Sequence, residues 1–347
     1  MFRASLFHMA ESVVRWYPKS KHFKIQLFAA GLVSFSTLIA YSKFSDAIDI
    51  VRNPADILHP GTLFLLRLPF GKARSRLMGS LCNFEIPVYL RSSLFRSFAW
   101  LYGANLAEAR YPLDTYRTFQ EFFSRSLKPG IRPVESNEPT CLVAPCDGEI
   151  LAIGEISEDC PRIQQVKGTT YNVKSFLGTD PLKHKAKDSV LKYCVIYLAP
   201  GDYHRFHAPT TFHTQQGRHF SGELLPVSKR LVSWFDDLFS LNERVVLSGS
   251  WAMGQMHYGI VAAYNVGNIV LSFDDKLKTN EFRARPCYRG GEVRTKTVDN
   301  TFTHGDWIGS FKLGSTIVLI FETVGKSAWK VDCGDKIKMG QLLFTGN

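Results

Sequence analysis

The feature that most constrains the fold is the segment FKLGSTIVLIFE at residues 311–322, where a Gly-Ser pair directly precedes an uninterrupted apolar run. The run at 317–321 is short and rich in β-branched and aromatic residues, which predicts a buried strand. Gly314 permits a strained backbone and a close approach of other groups. Ser315 therefore either begins an ordinary strand or presents a nucleophilic hydroxyl beside a peptide carbonyl that no side chain shields.

The remainder of the chain changes character near residue 135. Residues 46–135 are mostly helical in pattern, and Asp114 is a candidate N-cap for a helix that must end before Pro129. Residues 136–347 alternate short β-like runs with Gly, Asp, Asn and Pro. Within this part, 191–203 reads as a strand that runs into a turn, and 256–273 reads as a hairpin.

The first 45 residues are basic and nearly free of acidic side chains, with six lysines or arginines and a single carboxylate, Glu11. Such a start is typical of a mitochondrial transit segment, which we assign to residues 1–24. The uncharged stretch 25–41 is at the lower edge of the length that spans a bilayer, so it is either a single transmembrane helix or a buried core helix. Basic residues before it would hold the N-terminus on the matrix or cytoplasmic side.

The segment GTLFLLRLPFGKARSR, at 61–76, joins an apolar run to a basic cluster. This combination suits a membrane interface, although a buried element with a charged end has the same pattern. We therefore assign 42–135 to a helical, membrane-associating region. The sequence predicts an α+β protein in which a membrane-anchored helical N-terminal region precedes a β-rich catalytic domain at 136–347.

The net charge of +11 favours an anionic partner, which by charge alone is nucleic acid, an acidic small molecule or an anionic membrane surface, although a solvated basic face would give the same excess. The seven cysteines include no C-x-x-C pair, which argues against a disulfide scaffold and a zinc ribbon. No bound metal and no nucleic-acid partner are expected.

Two further stretches carry groups capable of chemistry. One is APCDGEI, with Asp147 in a turn, and the other is GDYHRFHAP, with His204 and His207 after an apolar strand. The two histidines could be metal ligands or a structural pair, and in an extended segment they would face opposite sides. Asp147, His207 and Ser315 could instead form an activated nucleophile, because such triads occur in any chain order. Local sequence leaves these alternatives open.

These stretches together resemble one known family. LGST at 313–316 resembles the self-cleavage motif of phosphatidylserine decarboxylases, and PCDG and DYHRFH are similar to the family's two other motifs. The segments 105–134 and 304–322 also resemble the family, so that the likeness covers roughly residues 60–347. The basic leader and the apolar segment resemble the mitochondrial, inner-membrane type. Cys146 stands where bacterial members often have alanine.

The resemblance implies that the chain is a self-cleaving proenzyme. Ser315 would attack the carbonyl of Gly314, with His207 as the base and Asp147 orienting it. The products would be a β chain, 1–314, and an α chain, 315–347, which stay together as a heterodimer. The α chain would begin with a covalent pyruvoyl group made from Ser315, the only cofactor expected.

The family resemblance further implies the reaction. The pyruvoyl group would form a Schiff base with phosphatidylserine, and His204 would reprotonate the substrate after carbon dioxide leaves, giving phosphatidylethanolamine. The partners would be phosphatidylserine and anionic membrane lipid. The location would be the mitochondrial inner membrane, with one spanning helix and the catalytic domain in the intermembrane space. A pyruvoyl enzyme for a soluble amino acid, a membrane-tethered lipoyl-like binding module and a serine hydrolase remain the alternatives.

Overall fold

A computed structural model describes residues 78–166, 169–224, 238–263, 268–281, 287, 292–312 and 315–346, and Ser315 is described by its backbone. All of these residues belong to one compact unit, 66–347. The expected leader at 1–24 and the expected spanning segment at 25–41 lie outside the described residues. In the part of the chain that the structure describes, no helix is long and apolar enough to cross a membrane.

The described N-terminal part, residues 78–135, contains helices separated by turns and loops. Helix α1, Val88–Tyr102, ends at Gly103, whose φ of 72° is left-handed and favours glycine. Two 3₁₀ turns follow, Leu106–Glu108 and Leu113–Thr115, and then the short helix α2, Phe119–Phe123.

The N-cap of α2 differs from the prediction. Thr118, not Asp114, caps this helix, because its hydroxyl accepts a hydrogen bond from the Glu121 backbone N–H at 3.1 Å. The carboxylate of Glu121 accepts in turn from the Arg117 N–H at 2.7 Å. Asp114 lies instead within the second 3₁₀ turn.

An aromatic cluster joins α1 to α2. Phe95 of α1 stacks on Phe122 of α2 at 4.3 Å between ring centroids, and Phe98 meets Phe119 edge-on at 5.0 Å. Such ring pairs add to the apolar burial of each side chain. The cluster therefore fixes the direction in which the C-terminal end of α2 points.

Sixteen strands and two further short helices make up the described part of the β-rich region. The helices are α3, Val173–Leu177, and α4, Leu238–Leu241. The strands are β1 Cys141–Val143, β2 Gly148–Ile156, β3 Arg162–Val166, β4 Thr169–Asn172, β5 Val190–Leu198, β6 Arg205–His207, β7 Phe212–Phe220, β8 Arg244–Trp251, β9 Gly254–Ala262, β10 Ile269–Leu271, β11 Val293–Phe302, β12 Trp307–Phe311, β13 Ser315–Thr323, β14 Ser327–Trp329, β15 Lys336–Ile337 and β16 Leu342–Gly346.

The largest sheet is antiparallel and has the order β11-β7-β8-β9-β13-β5-β2-β15. Three smaller sheets have the orders β1-β16-β14, β10-β12-β6 and β3-β4. The apolar run at 317–321 forms the middle of β13, which lies between β5 and β9 in the largest sheet. All five of its side chains are fully buried, which confirms the predicted buried strand.

The predicted hairpin at 256–273 is wrong. Its two halves form β9 and β10, but β9 pairs with β8 and β13, whereas β10 pairs with β12 in a different sheet. Apolar strands joined by a turn do not determine their own partners, because pairing in a sheet depends on residues distant in sequence. The predicted strand and turn at 191–203 is confirmed, because β5, Val190–Leu198, runs into a turn.

Candidate active site

Asp147 lies in the tight connection between β1 and β2, and its side chain is almost completely buried. The next residue, Gly148, has no room for a side chain, because a Cβ atom there would lie 2.5 Å from the Tyr197 carbonyl oxygen. The glycine of the PCDG stretch therefore allows β2 to approach β5 closely. This packing fixes the position from which the Asp147 carboxylate projects.

Four hydrogen bonds hold the Asp147 carboxylate. Arg132 donates to Oδ1 from Nε at 2.9 Å and to Oδ2 from Nη2 at 2.6 Å. Lys338 Nζ donates to Oδ2 at 3.0 Å, and the Met339 N–H donates to Oδ1 at 2.9 Å. Arg132 also bonds Glu108, with Nη2 and Oε2 separated by 2.7 Å. The network thus connects three distant parts of the chain.

This network keeps Asp147 ionised. Burial opposes ionisation, but the hydrogen bonds from Arg132 and Met339 and the charges of Arg132 and Lys338 outweigh it, so the pKa of Asp147 is below its usual value. Lys338 and Met339 lie after residue 315 in the chain, whereas Arg132 and Asp147 lie before it. The carboxylate therefore joins the two segments that a break at 314–315 would separate.

His207 is held at both ring nitrogens. Nδ1 lies 2.8 Å from the Gly305 carbonyl oxygen, and Nε2 lies 3.0 Å from the Tyr203 hydroxyl. A carbonyl can only accept, so Nδ1 carries the proton and Nε2 accepts from the tyrosine. Burial lowers the pKa of His207, which keeps the ring neutral at pH 7 with its basic lone pair on Nε2.

Asp147 and His207 lie on adjacent segments, since the His207 N–H donates to the Pro145 carbonyl at 2.8 Å. A direct Asp147–His207 hydrogen bond is not among the contacts of either side chain in the described part of the chain. The Gly305 carbonyl instead orients the imidazole, and Asp147 acts on it through its charge, which favours the protonated ring. Gly305 has a φ of 80°, a left-handed conformation that suits glycine.

His204 has one occupied and one open nitrogen. Nδ1 lies 2.9 Å from the Asp202 carbonyl oxygen and so carries the proton, whereas the buried Nε2 has no hydrogen-bond partner in the part of the chain that the structure describes. The ring packs on Phe123 of α2 at 4.0 Å between centroids. Burial lowers the pKa of His204 to about 3, so this ring is also neutral at pH 7.

The backbone brings Ser315 to the same end of the largest sheet. Ser315 pairs with Leu198, the last residue of β5, and the chain then continues from β5 into the histidine loop. Just before Ser315, the Phe311 N–H donates to the His204 carbonyl at 2.9 Å, and β12 pairs with β6. Gly314 lies outside the described residues. The segments that carry Asp147, both histidines and Ser315 are therefore neighbours in the fold.

The sequence motifs did not identify four residues that surround these groups, namely Arg125, Arg132, Tyr203 and Gly305. Arg125 stands between two serines in the stretch FFSRSL, which gives no local signal that it is buried, and no local signal marks Gly305. Among the described residues, no group of three His, Cys, Asp or Glu side chains could hold a metal ion.

Comparison with known proteins supports one family. The family model described as phosphatidylserine decarboxylase matches residues 119–345. The chain is 41% identical over 317 residues to a mitochondrial phosphatidylserine decarboxylase proenzyme 1 of Toxoplasma gondii, covering 90% of this chain and 74% of that protein. It is 36% identical over 327 residues to the Plasmodium falciparum phosphatidylserine decarboxylase proenzyme, covering 93% and 90%.

A mitochondrial phosphatidylserine decarboxylase proenzyme of Caenorhabditis elegans is 41% identical over 279 residues, covering 80% of this chain and 72% of that protein. The matched residues include the Asp147 connection, the histidine loop and the segment around Ser315. Identity of this extent, over most of both chains, shows common descent. The chain therefore belongs to the phosphatidylserine decarboxylase family.

Proposed function

We propose that this chain decarboxylates phosphatidylserine to phosphatidylethanolamine and carbon dioxide after cutting itself between Gly314 and Ser315. The observation that carries the proposal is the family match over residues 119–345, which takes in every segment of the candidate site. The site also contains two buried, neutral histidines that differ in how many of their ring nitrogens have a hydrogen-bond partner. Such a pair can take two separate roles in proton transfer.

In the cutting step, His207 Nε2 is the base and Ser315 Oγ is the nucleophile. The proton on His207 Nδ1 is fixed by the Gly305 carbonyl, so Nε2 is the nitrogen that can accept the serine proton once Tyr203 releases it. Attack on the Gly314 carbonyl converts the peptide bond into an ester. Elimination then leaves Gly314 as a carboxylate, and hydrolysis of the dehydroalanine at 315 releases ammonia and leaves a pyruvoyl group.

Asp147 has an electrostatic and a connecting role in this proposal. Its ionised carboxylate favours the imidazolium that forms on His207 during the cutting step. Because it also binds Lys338 and Met339, it helps to keep the α chain, 315–347, attached to the β chain, 1–314, after the cut. A heterodimer held in this way needs no covalent link.

In the decarboxylation step, the pyruvoyl group supplies a carbonyl that can take up the substrate amine and then accept the electrons left by carbon dioxide. His204 provides the open nitrogen of the site, because its Nε2 has no hydrogen-bond partner among the described residues and can carry a proton to the substrate. Its burial makes the imidazolium costly and therefore strongly acidic. A proton that reaches Nε2 is therefore given up readily to the substrate carbon after carbon dioxide leaves.

Membrane association is proposed for the helical region. Helix α1 exposes large apolar side chains to solvent, with Tyr89 72% and Trp100 86% exposed. Tyrosine and tryptophan favour the boundary between lipid and water. Together with the mitochondrial names of relatives, this supports a site at the mitochondrial inner membrane, with the segment 25–41 as the anchor and the catalytic domain in the intermembrane space.

The test of the proposed function begins with the cut. Purified wild-type protein should migrate as two chains, and the mass of the smaller chain should match residues 315–347 with a pyruvoyl N-terminus. A Ser315→Ala variant should remain one uncut chain and release no carbon dioxide from phosphatidylserine. Ser327→Ala, which removes a hydroxyl elsewhere in the same short chain, should cut normally. Active wild-type protein consisting of a single uncut chain would contradict the proposal.

A further inference from the structure

Arg125 is a buried arginine whose charge is not paired with any carboxylate of the described residues. It follows α2 directly and is only 3% exposed. Within the described ranges its Nε and Nη1 have no hydrogen-bond partner, and Nη2 reaches the Gly201 carbonyl at a long 3.5 Å. The guanidinium lies 5.2 Å from the Phe122 ring centroid. A guanidinium at neutral pH is a cation with five N–H donors, so most of its binding capacity is unused.

The Arg125 guanidinium lies against the histidine loop. The Arg125 Nη2 contact is with Gly201, and the neighbouring Ser124 carbonyl accepts from Arg205 Nε at 2.9 Å. Phe123, two residues before Arg125, packs on the His204 ring. The charge of Arg125 also acts on His204 by lowering its pKa. The Arg125 guanidinium and the His204 ring are therefore both buried beside the same loop, 201–204.

A buried water molecule would not satisfy this site. Water can accept hydrogen bonds from Nε and Nη1, but it carries no charge to compensate the guanidinium. Arg132, the nearby buried arginine, shows how this fold satisfies such a charge, since it binds both Asp147 and Glu108. The complement that Arg125 lacks is an anion with at least two acceptor oxygens.

We propose that Arg125 binds the phosphodiester of the phosphatidylserine headgroup and so places the serine part beside His204. This inference rests on the proposed function for its substrate. The headgroup carries two anions, but a cation on the carboxylate would stabilise a charge that disappears as carbon dioxide leaves, and would slow the reaction. The phosphodiester keeps its charge throughout, so binding it holds the substrate without opposing the chemistry.

The experiment measures binding in the uncut Ser315→Ala chain, where no covalent reaction with an amine can interfere. Titration calorimetry is carried out with glycerophosphoserine, with glycerophosphoethanolamine, which lacks the carboxylate, and with free serine, which lacks the phosphodiester. Arg125→Gln should weaken both phosphodiester ligands at least tenfold and leave serine unchanged. Arg125→Lys, which keeps the charge but not the planar pair of donors, should give an intermediate loss.

Two controls separate this role from a structural one. Arg117→Gln removes an arginine that is 65% exposed and pairs with Glu85, and it should leave all three affinities unchanged. Arg125→Gln should keep or raise the thermal midpoint, because an uncompensated buried charge is removed. A lowered midpoint together with lost binding would assign Arg125 a structural role and overturn the proposal.

The remaining outcomes also decide the matter. If the parent chain does not bind glycerophosphoethanolamine, or if Arg125→Gln leaves its affinity unchanged, Arg125 is not a phosphodiester site. If Arg125→Gln weakens serine as strongly as glycerophosphoserine, the bound anion is the carboxylate. Wild-type protein that fails to decarboxylate phosphatidylserine would contradict the proposed function while leaving the phosphodiester result intact, so the two failures are distinguishable.

Discussion

Arg125 and Arg132 come from one short segment, and both are buried, but their surroundings are opposite. Arg132 forms ion pairs with two carboxylates, those of Asp147 and Glu108. Asp147 also binds Lys338 and Met339. At Arg125 and His204, three buried nitrogen atoms have no hydrogen-bond partner among the described residues. A closed network of this kind positions residues, whereas a buried site with unused donors is ready for a ligand.

The two histidines repeat the same contrast, and here we expect the largest effects. His207 has both nitrogens occupied, and His204 has one open. His207→Ala should abolish cutting, because it removes the base. His204→Ala should cut normally but lose about 10²–10⁴-fold in decarboxylation, the usual value of a general acid–base group.

The measurements are the fraction of cut chain on a denaturing gel and the release of carbon dioxide from phosphatidylserine. His213→Ala is the matched control, because its side chain is 42% exposed and pairs with the exposed Asp299. An equal loss of cutting in the His204 and His207 variants would show that the two rings do not divide the work.

The two arginines should differ strongly in their effect on stability. In the uncut Ser315→Ala chain, Arg132→Gln should lower the free energy of unfolding by about 3–5 kcal/mol, because it leaves the Asp147 and Glu108 carboxylates without their main partner. Arg125→Gln should cost nothing or stabilise. Urea unfolding measures both, and adding Asp147→Asn to Arg132→Gln should restore part of the loss. If Arg125→Gln lowered the free energy of unfolding as much as Arg132→Gln, the two arginines would not differ in their contribution to stability.

The pH dependence of stability should also divide between the two regions. His204 and His207 are neutral in the fold because burial lowers the pKa of each, but in the unfolded chain they bind protons near pH 6.5. Stability should therefore fall as the pH drops below about 6.5, with a slope of up to about 1.4 kcal/mol per pH unit for each ring. For His204 this loss continues toward its folded pKa of about 3.

Asp147 acts at lower pH, because its folded pKa lies below the usual value of about 3.9. Its stabilisation is complete above the unfolded pKa and is lost as the pH falls through the folded one. We measure the free energy of unfolding in urea from pH 7 to 3 and plot it against pH. The slope should be shallower than in wild type between pH 6.5 and 4 in His204→Asn. In Asp147→Asn the slope should differ from wild type only below about pH 4. A His204 variant with the wild-type slope would show that this ring is not buried and neutral.

A smaller effect is expected at the Tyr203 hydroxyl, which is hydrogen-bonded to His207 Nε2. Tyr203→Phe removes one buried hydrogen bond and should lower the free energy of unfolding by about 1 kcal/mol. Because the tyrosine must leave Nε2 before His207 can act, cutting should stay within about tenfold of wild type. A time course of cutting after refolding measures the rate. Complete loss of cutting would make Tyr203 part of the proton transfer.

The smallest effect is expected at the exposed edge of the closed network. Lys338 bonds Asp147 at 3.0 Å, but its side chain is 59% exposed, so solvent screens the pair. Lys338→Gln should change the free energy of unfolding by less than about 1 kcal/mol in the same urea experiment. A cost equal to that of Arg132→Gln would show that the α-chain contacts dominate the network.

Local pattern predicted the elements of this fold better than their partners. The buried strand β13 and the strand β5 follow from short apolar runs, and both are confirmed. The hairpin at 256–273 failed because β9 and β10 find their neighbours elsewhere. The N-cap of α2 was assigned to Asp114 in place of Thr118, since both are good capping residues and only the packed aromatic cluster fixes where the helix begins.

The sequence predicted which residues form the site but not the contacts that hold them in place. The motifs named Asp147, His204 and His207, and the fold brings their segments together. They did not indicate that Arg132 holds the carboxylate or that Gly305 orients the imidazole. Both contacts join residues that are far apart in the chain, and no local periodicity encodes them.

The sequence by itself determined the chemistry that this protein can carry: a Gly-Ser pair before a buried strand, a carboxylate beside a glycine, and two histidines in one loop. Only the tertiary structure decided which of these groups are satisfied and which are open. The physical reason is that burial makes every unpaired charge and hydrogen bond costly, and pairing depends on long-range packing. The fold gives both carboxylate oxygens of Asp147 hydrogen-bond partners, whereas in the described part of the chain Arg125 and His204 keep buried nitrogen atoms without one.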